Sequence, residues 1–324
     1  MKKYLLICSV ISVSLAMSFI CASCGDEDSV PPITNDPDIV EVKEAITGEA
    51  TNISYFWATV SGQVNLSEDT QYQVCIEYSV NSGFDFENIN LAYIENAESS
   101  FSTEINGLIE GTTYYYRTYV LTNGRKYYGD IKTFTTKKLE LQKTGAVDLG
   151  LSVKWAANNI GASTPDGFGS YIEWGETSEK DLLSYCTCYD DVLKLYSYTN
   201  IGKEISGTKY DAARAQWGEK WRLPTITELK ELNDKCRNVW YTYNSVSGSL
   251  FIGSNDNCIF LPAAGEIGSN GEISGISNSG RYQSGTLSEN LESYFGTIFI
   301  SKSHVNVGDN GSRKCRYTIR PVCN

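Results

Sequence analysis

The sequence predicts two globular domains, an all-β sandwich followed by an α+β domain. Between residues 38 and 137, apolar and polar residues alternate in short runs separated by turn residues, which is typical of half-buried strands. Between residues 145 and 324, two capped helical segments stand among strands and Ser/Asn/Gly-rich stretches. The chain has 324 residues, which is enough for two domains that each bury a core.

The charge and the histidine content restrict the possible functions. The net charge is −12, so we expect no nucleic-acid partner, because phosphate binding requires clustered basic residues. We interpret a basic cluster near the C-terminus as solvated strand positions or ion-pair partners. Its members are Arg313, Lys314, Arg316 and Arg320. The single histidine, His304, argues against catalytic triads and most zinc sites.

Residues 1–23 have the pattern of an export signal. Lys2 and Lys3 form a positive n-region, and an apolar run extends from Tyr4 to Ile20. A short membrane-spanning helix would have a similar run. The small residues at positions 22 and 23 before Cys24 decide between the two, because they resemble a bacterial lipobox. This resemblance implies that Cys24 is acylated and becomes the mature N-terminus.

The segment after Cys24 is predicted to be a tether. Cys21 stands where a lipobox usually has Leu, and it is the poorer acceptor because Phe19 and Ile20 precede it. Residues 24–37 are polar and contain proline without an apolar period. The acidic positions 26–28 resemble the surface-export signal of lipoproteins in the Bacteroides group, which implies an outer-membrane protein exposed at the cell surface. Alternatively, these acids only keep the linker solvated and the protein faces the periplasm.

The first domain, residues 38–137, is predicted to contain short strands joined by turns. Asn123-Gly124 indicates a tight hairpin, because primed turns need positive φ at both central residues. Tyr114 and Tyr116 are expected on the core face, and Tyr119 on the opposite face. The predicted strands cover residues 54–64, 71–79, 100–105, 112–121 and 126–135.

A corner motif gives this domain a more specific expectation. Residues 108–114, Leu-Ile-Glu-Gly-Thr-Thr-Tyr, resemble the fibronectin type III corner, in which a tyrosine hydroxyl binds back to the preceding connection. The resemblance implies a fibronectin type III-like β-sandwich, with Tyr114 as the corner residue. Such sandwiches space or bind, so the fold alone says little about function. We interpret the exposed tyrosines as outer-face residues rather than as a ligand site.

The second domain, residues 145–324, is predicted to contain two short helices. Residues 211–218 begin with an Asp cap and end with Gly, and Thr225 and Glu228 form a capping box. Leu229 and Leu232 continue the second helix at core spacing. Predicted strands cover residues 250–252, 258–261, 294–300 and 316–322. The longest polar stretches, residues 266–293 and 301–313, are expected to be loops.

Several motifs of the second domain match one family. They are Asp-Leu-Gly-Leu-Ser-Val-Lys-Trp-Ala at 148–156, Glu-Trp-Gly-Glu-Thr at 173–177, Lys-Trp-Arg-Leu-Pro-Thr at 220–225, Phe-Leu-Pro-Ala-Ala-Gly at 260–265 and Ile-Arg-Pro-Val-Cys at 319–323. Together they resemble the Fibrobacter succinogenes major paralogous domain, which is common in Bacteroides lipoproteins. The resemblance implies the fold of formylglycine-generating sulfatase-modifying proteins, which is C-type-lectin-like. One departure is Tyr-Gln-Ser-Gly at 282–285, where Tyr-Trp-Ser-Ser is frequent, so that loop is expected to be rearranged.

No catalytic constellation is predicted. Formylglycine generation needs a closely spaced cysteine pair, whereas Cys315 lies eight residues before Cys323. The Cys-Thr-Cys at 186–188 would suggest metal or redox chemistry only with further ligands, so buried or disulfide-bonded thiols are preferred. Glu173 and Glu176 could form a carboxylate pair for hydrolysis, but the family resemblance places them in the scaffold. We expect no cofactor and no metal.

The sequence therefore predicts a non-catalytic binding or adhesion protein. Its expected partners are the membrane, through the lipid anchor, and a glycan or a host or cell-surface protein. The alternatives are an enzyme of the formylglycine-generating type and a structural subunit of an envelope assembly. Because ligand sites favour loops on a rigid scaffold, we expect binding in the two long polar stretches. The candidate residues are Tyr282, Gln283, Asn290, Asn306, Asp309 and Asn310.

Overall fold

A computed structural model describes residues 44–65, 72–84, 88–95, 97–122, 124–180, 189–190, 195–196, 198 and 200–324. The predicted signal peptide, Cys24, the tether, and the cysteines at 186 and 188 lie outside these residues. Within the described ranges, no helix combines the length and the apolar character that crossing a membrane requires.

Strands β1 to β8 form the first domain. They are β1 (Glu44–Thr47), β2 (Trp57–Asn65), β3 (Tyr72–Ser79), β4 (Asn90–Ile94), β5 (Ser100–Asn106), β6 (Thr113–Thr122), β7 (Arg125–Tyr128) and β8 (Lys132–Thr135). One sheet has the order β1-β2-β5, and the other has the order β4-β3-β6-β7 with β8 also paired to β6. Val60 and Ile105 of the first sheet pack on Ile76 and Tyr116 of the second. The predicted β-sandwich is confirmed.

The structure confirms the predicted corner at Tyr114. The Tyr114 ring is buried, and its hydroxyl accepts a hydrogen bond from the Ile109 N–H at 2.9 Å. Tyr116 lies on the core face of β6 as expected, and Thr118 is buried on the same face. Tyr119 lies on the other face but is also buried, because the ring of Tyr128 stacks on it with centroids 5.4 Å apart.

The second domain contains fifteen strands and two helices within the described residues. They are β9 (Ala146–Val147), β10 (Lys154–Ala156), β11 (Ile172–Glu173), β12 (Tyr189–Asp190), β13 (Leu195–Tyr196), α1 (Ala212–Trp217), α2 (Ile226–Lys235), β14 (Arg237–Tyr243), β15 (Val246–Ile252), β16 (Cys258–Pro262), β17 (Ala264–Ile267), β18 (Ile273–Ile276), β19 (Ser279–Leu287), β20 (Tyr294–Ser301), β21 (Val305–Ser312), β22 (Arg316–Tyr317) and β23 (Val322–Cys323).

Both predicted helices are confirmed, with their caps. The Asp211 side chain accepts hydrogen bonds from the N–H groups of Ala213 and Arg214 at the start of α1. Thr225 and Glu228 form the reciprocal capping box of α2. Leu229 and Leu232 of α2 are buried in the main core, which also contains Trp155 and Tyr282.

The largest sheet of this domain has the order β11-β22-β17-β19-β20-β21, with β18 paired to β17. The expectation that residues 266–293 and 301–313 are long loops is therefore wrong. The polar and small residues of β19 pass close to other segments instead of facing solvent. A Cβ atom added at Gly285 would lie 2.2 Å from the Ser206 Oγ, so the strand needs a residue without a side chain there. Tertiary pairing overrides the turn-like composition.

Three members of the C-terminal basic cluster are buried, so they are not the solvated positions that the first interpretation expected. Arg313, Arg316 and Arg320 are all buried. Arg316 is an ion-pair partner, as the alternative proposed, because its Nε lies 3.0 Å from the Glu173 carboxylate. Arg320 donates to the carbonyl oxygens of Ala157 and Phe260 at 3.0 and 2.7 Å. These contacts make Arg316 and Arg320 part of the scaffold.

Candidate functional site

Strands β14, β15 and β16 form a separate sheet, here called the junction sheet. Strands β15 and β16 are buried on both faces over residues 248–252 and 258–262, whereas β14 is exposed or half-buried. Phe251 and Leu261 pack into the main core of the second domain. Leu250 and Phe260 face the opposite way and pack against residues of the first domain. Cover on both sides explains why residues 250–252 of β15 and 258–261 of β16 are apolar at successive positions instead of alternating.

The connection between the domains is part of this contact. Leu139 and Leu141 of the connection are buried with Phe56 of the first domain against the junction sheet. Burying a leucine side chain is worth about 1.5–3 kcal/mol. The Asp256 side chain pairs with Lys137, and its carbonyl oxygen accepts from the Tyr55 hydroxyl at 2.9 Å. The two domains therefore share a hydrophobic core.

A cleft of about 540 Å³ opens beside this shared core, between the first domain and the edge strand β14. Four aromatic rings, several aliphatic side chains and a few polar groups line it. They belong to Phe56, Trp57, Asn106, Gly107, Leu108, Ile109, Glu110, Arg237, Asn238, Val239, Trp240 and Tyr241. A concave, mostly apolar site with a few convergent polar groups at a domain interface is the usual form of a ligand site.

The first-domain side of the cleft, residues 106–110, is here called the cleft wall. Both backbone groups of Ile109 are fixed, because its N–H donates to the Tyr114 hydroxyl and its carbonyl accepts from the Thr136 hydroxyl at 2.7 Å. The Glu110 carboxylate accepts from the Leu139 N–H at 2.9 Å. The Ile109 side chain is nevertheless 63% exposed. The corner thus presents an apolar side chain on a rigid backbone.

Strand β14 forms the other side of the cleft. The Arg237 guanidinium lies over the Trp57 ring, 4.1 Å from its centroid, and donates to the Glu104 carboxylate at 2.9 Å and to the Asn106 side chain. The Phe56 and Tyr241 rings contact each other with centroids 5.4 Å apart. These contacts fix the distance between β14 and the first domain.

Burial raises the pKa of three ionisable groups beside the cleft. Burial raises the pKa of the Tyr55 hydroxyl and that of the Cys258 thiol to about 12 each. Burial, together with the Glu110 carboxylate, also raises the pKa of Tyr241. All three groups are neutral near pH 7, so none is an activated nucleophile. In the part of the chain that the structure describes, no cluster of His, Cys, Asp and Glu side chains could hold a metal ion.

The structure contradicts two of the predicted ligand residues. Tyr282 and Gln283 lie in the middle of β19 and are each 1% exposed. The Tyr282 hydroxyl donates to the Pro262 carbonyl at 2.6 Å, and burial raises its pKa to about 12. The Gln283 amide donates to the Ile172 carbonyl at 3.0 Å. Both side chains hold strands together and cannot meet a ligand, so their assignment to a binding loop is wrong.

The other predicted residues are not gathered into one site with these two. Asn290 is exposed in the connection between β19 and β20, beside a smaller cavity of about 280 Å³. Asn306 and Asn310 are exposed on the edge strand β21, and the Asn310 side chain accepts from Arg281 at 2.8 Å. Asp309 also lies in β21, but its side chain is outside the described residues.

None of the ligand residues predicted from the sequence lines the cleft. The signal that could have found it is the pair of continuous apolar runs, residues 250–252 and 258–261, because strands without alternation are covered on both faces. A second signal is the alternation of Leu139 and Leu141 in the segment between the predicted domains, which is typical of a packed strand rather than a free linker.

Comparison with known proteins gives only partial likenesses. No protein-family model matches the chain, and no curated protein matches it. Among solved structures, the sensor domain of the anti-sigma factor RsgI4 of Pseudobacteroides cellulosolvens is 22% identical over 32% of this chain and 96% of that chain, with a TM-score of 0.26. The sixth fibronectin type III domain of human fibronectin type III domain containing protein 3 is 23% identical over 31% of this chain and 89% of that chain, with a TM-score of 0.24. TM-scores this low do not support assigning the function of either protein to this chain.

Proposed function

We propose that this chain is a lipid-anchored cell-surface protein that binds a glycan or a protein ligand without catalysis, and that the ligand occupies the interdomain cleft. The observation that carries the proposal is the cleft of about 540 Å³ between two domains that share a core. Its walls are held by the Tyr114 corner and by the Arg237 contacts. A preformed site avoids much of the entropic cost of ordering side chains on binding.

The binding proposal can be tested with paired variants of two exposed isoleucines. Ile109 lies in the cleft wall and is 63% exposed, whereas Ile131 is 48% exposed and does not line the cleft. The full chain in mild detergent is applied to arrays of glycans and of cell-surface proteins. For any ligand found, Ile109→Glu should weaken binding about tenfold or more, because a charge enters an apolar contact, and Ile131→Glu should not. Equal effects of the two substitutions would place the site outside the cleft.

The lipid anchor is proposed on the sequence alone. Labelling of cells with a palmitate analogue should mark the wild-type protein and Cys21→Ala, the matched control, but not Cys24→Ala. Label remaining on Cys24→Ala would contradict acylation at that residue.

Surface exposure is a separate proposal, based on Asp26, Glu27 and Asp28. Protease added to intact cells should degrade the wild-type protein, and replacement of the three acids by Ala should protect it. A periplasm-facing wild-type protein would resist the protease until the outer membrane is opened.

We also propose that the second domain is C-type-lectin-like and related to the formylglycine-generating fold. In support, the motif residues Trp155, Trp174 and Arg320 are all buried scaffold residues. The enzymatic alternative has less support, because it needs a closely spaced cysteine pair, whereas half-buried Cys315 lies before β22 and buried Cys323 lies eight residues later in β23. Incubation with a cysteine-containing sulfatase peptide should leave its thiol unchanged by mass spectrometry.

A further inference from the structure

We infer that the ligand of the interdomain cleft is an extended peptide segment that adds a strand to the outer edge of β14. This inference rests on the proposed function and adds the chemical class of the ligand, a peptide. Within the described parts of the chain, β14 pairs only with β15, so its other edge has no strand partner. An unpaired edge carries a row of N–H and C=O groups, which an incoming strand can bind.

The hairpin geometry shows which backbone groups are available. Strands β14 and β15 are joined by a two-residue turn, Asn244 and Ser245, with φ values of 48° and 68°. In such a primed turn, the closing residues Tyr243 and Val246 form a hydrogen-bonded pair. Pairing alternates from there, so the N–H and C=O groups of Asn238, Trp240 and Thr242 point to the open edge.

This edge lacks the devices that usually block strand addition. The β14–β15 register runs without a shift over seven consecutive pairs, so no bulge twists the edge away. Edge strand β7, by contrast, begins with Arg125 and Lys126, and the pairing of edge strand β21 with β20 is interrupted by a register shift. Natural proteins use charges and bulges of this kind to keep edges unpaired. Strand β14 has no bulge, and its single charged side chain, Arg237 at its first position, is paired with Glu104.

The cleft contacts favour a peptide over a sugar. Stacking on a sugar ring needs an open aromatic face, but Arg237 covers one face of Trp57, and the Phe56 ring packs on Tyr241. What remains is the main-chain edge, the half-buried Trp240 ring and the apolar side chains of Val239 and the exposed Ile109. Because strand side chains alternate, one face of the incoming peptide would meet these apolar groups. We therefore expect a peptide with apolar residues at every second position.

The probe is a phage library of random 12-residue peptides, panned on the immobilised full chain. Soluble peptides recovered by panning are then titrated against the wild type, Asn238→Ala and Asn238→Pro. Asn238→Ala removes only the amide side chain, whereas Asn238→Pro removes the outward N–H and is tolerated at an edge. We expect Asn238→Pro to bind about tenfold or more weakly than Asn238→Ala, the effect of one main-chain hydrogen bond.

A second measurement keeps the test valid if Asn238→Pro folds poorly. Hydrogen exchange of the wild-type Trp240 and Thr242 amides should slow on adding peptide. Equal weakening by Asn238→Ala and Asn238→Pro, unchanged exchange of these amides, or failure of panning to enrich any peptide would overturn the inference. Dimers joined through β14, detected by light scattering and dissociated by Asn238→Pro, would also overturn it, because the occupant would be a second copy. Glycan binding that is lost in Ile109→Glu would overturn the peptide inference while leaving the proposed function intact.

Discussion

The junction sheet and the sheet containing β19 to β21 both occupy places in the fold that their amino-acid composition does not indicate. Strands β15 and β16 of the junction sheet contain apolar runs that suggest an ordinary core, yet this sheet joins two domains and its strand β14 borders the cleft. Strand β19 is rich in Ser and Gly, which suggests an exposed loop, yet Tyr282 and Gln283 in it are buried. Composition indicates burial only on average, whereas the pattern along a strand indicates which faces are covered.

The largest expected effect is a loss of stability, and it tests whether β19 is a buried strand or an exposed loop. Tyr282→Ala removes a fully buried ring and its hydrogen bond to Pro262, so the free energy of unfolding should fall by about 3–5 kcal/mol. Urea denaturation of the full chain measures it. Tyr294→Ala is the matched control, because Tyr294 is 37% exposed in β20 and should cost much less. Equal costs would mean that Tyr282 is not a core residue.

The next effect tests the shared core of the two domains. Leu139→Ala leaves a cavity between Phe56 and the junction sheet, and the expected cost is about 2 kcal/mol or more. Calorimetry should also show the unfolding transitions of the domains separating, since part of their coupling is lost. Lys138→Ala changes the exposed neighbour and should leave the trace unchanged. If Leu139→Ala behaves like Lys138→Ala, the domains do not share this core.

A smaller effect concerns the cleft wall. Tyr114→Phe removes the hydroxyl that accepts from the Ile109 N–H, and the expected cost is about 1 kcal/mol in the free energy of unfolding. Because the same bond fixes the wall, exchange of the Ile109 amide should become faster. An unchanged denaturation midpoint would count against the corner. Tyr115→Phe, a half-buried neighbour on the same strand, serves as the control.

The smallest expected effect is on stability, and it tests whether β21 takes part in ligand binding. Asn306 is exposed on the edge strand β21, so Asn306→Ala should change the free energy of unfolding by less than about 0.5 kcal/mol. It should also leave ligand binding unchanged. A clear loss of affinity with normal stability would restore the site predicted in the polar stretches.

Local patterns predicted local structure well. The β6 alternation, the Tyr114 corner and the α2 capping box depend on residues close together in sequence, and the structure confirms all three. The cleft depends on contacts between residues more than a hundred positions apart, such as Arg237 with Glu104. No local rule pairs such residues. Arg320 shows the same limit, because its buried state depends on carbonyl groups supplied by distant strands.

The most direct test of a ligand site at the domain junction is hydrogen-exchange mass spectrometry of the full chain with and without a ligand recovered from the arrays. We predict slower exchange in residues 106–110 and 237–243, which line the cleft from its two sides. Residues 288–292 and 305–312 should be unaffected. Protection confined to those two segments, with none in the cleft, would contradict the account.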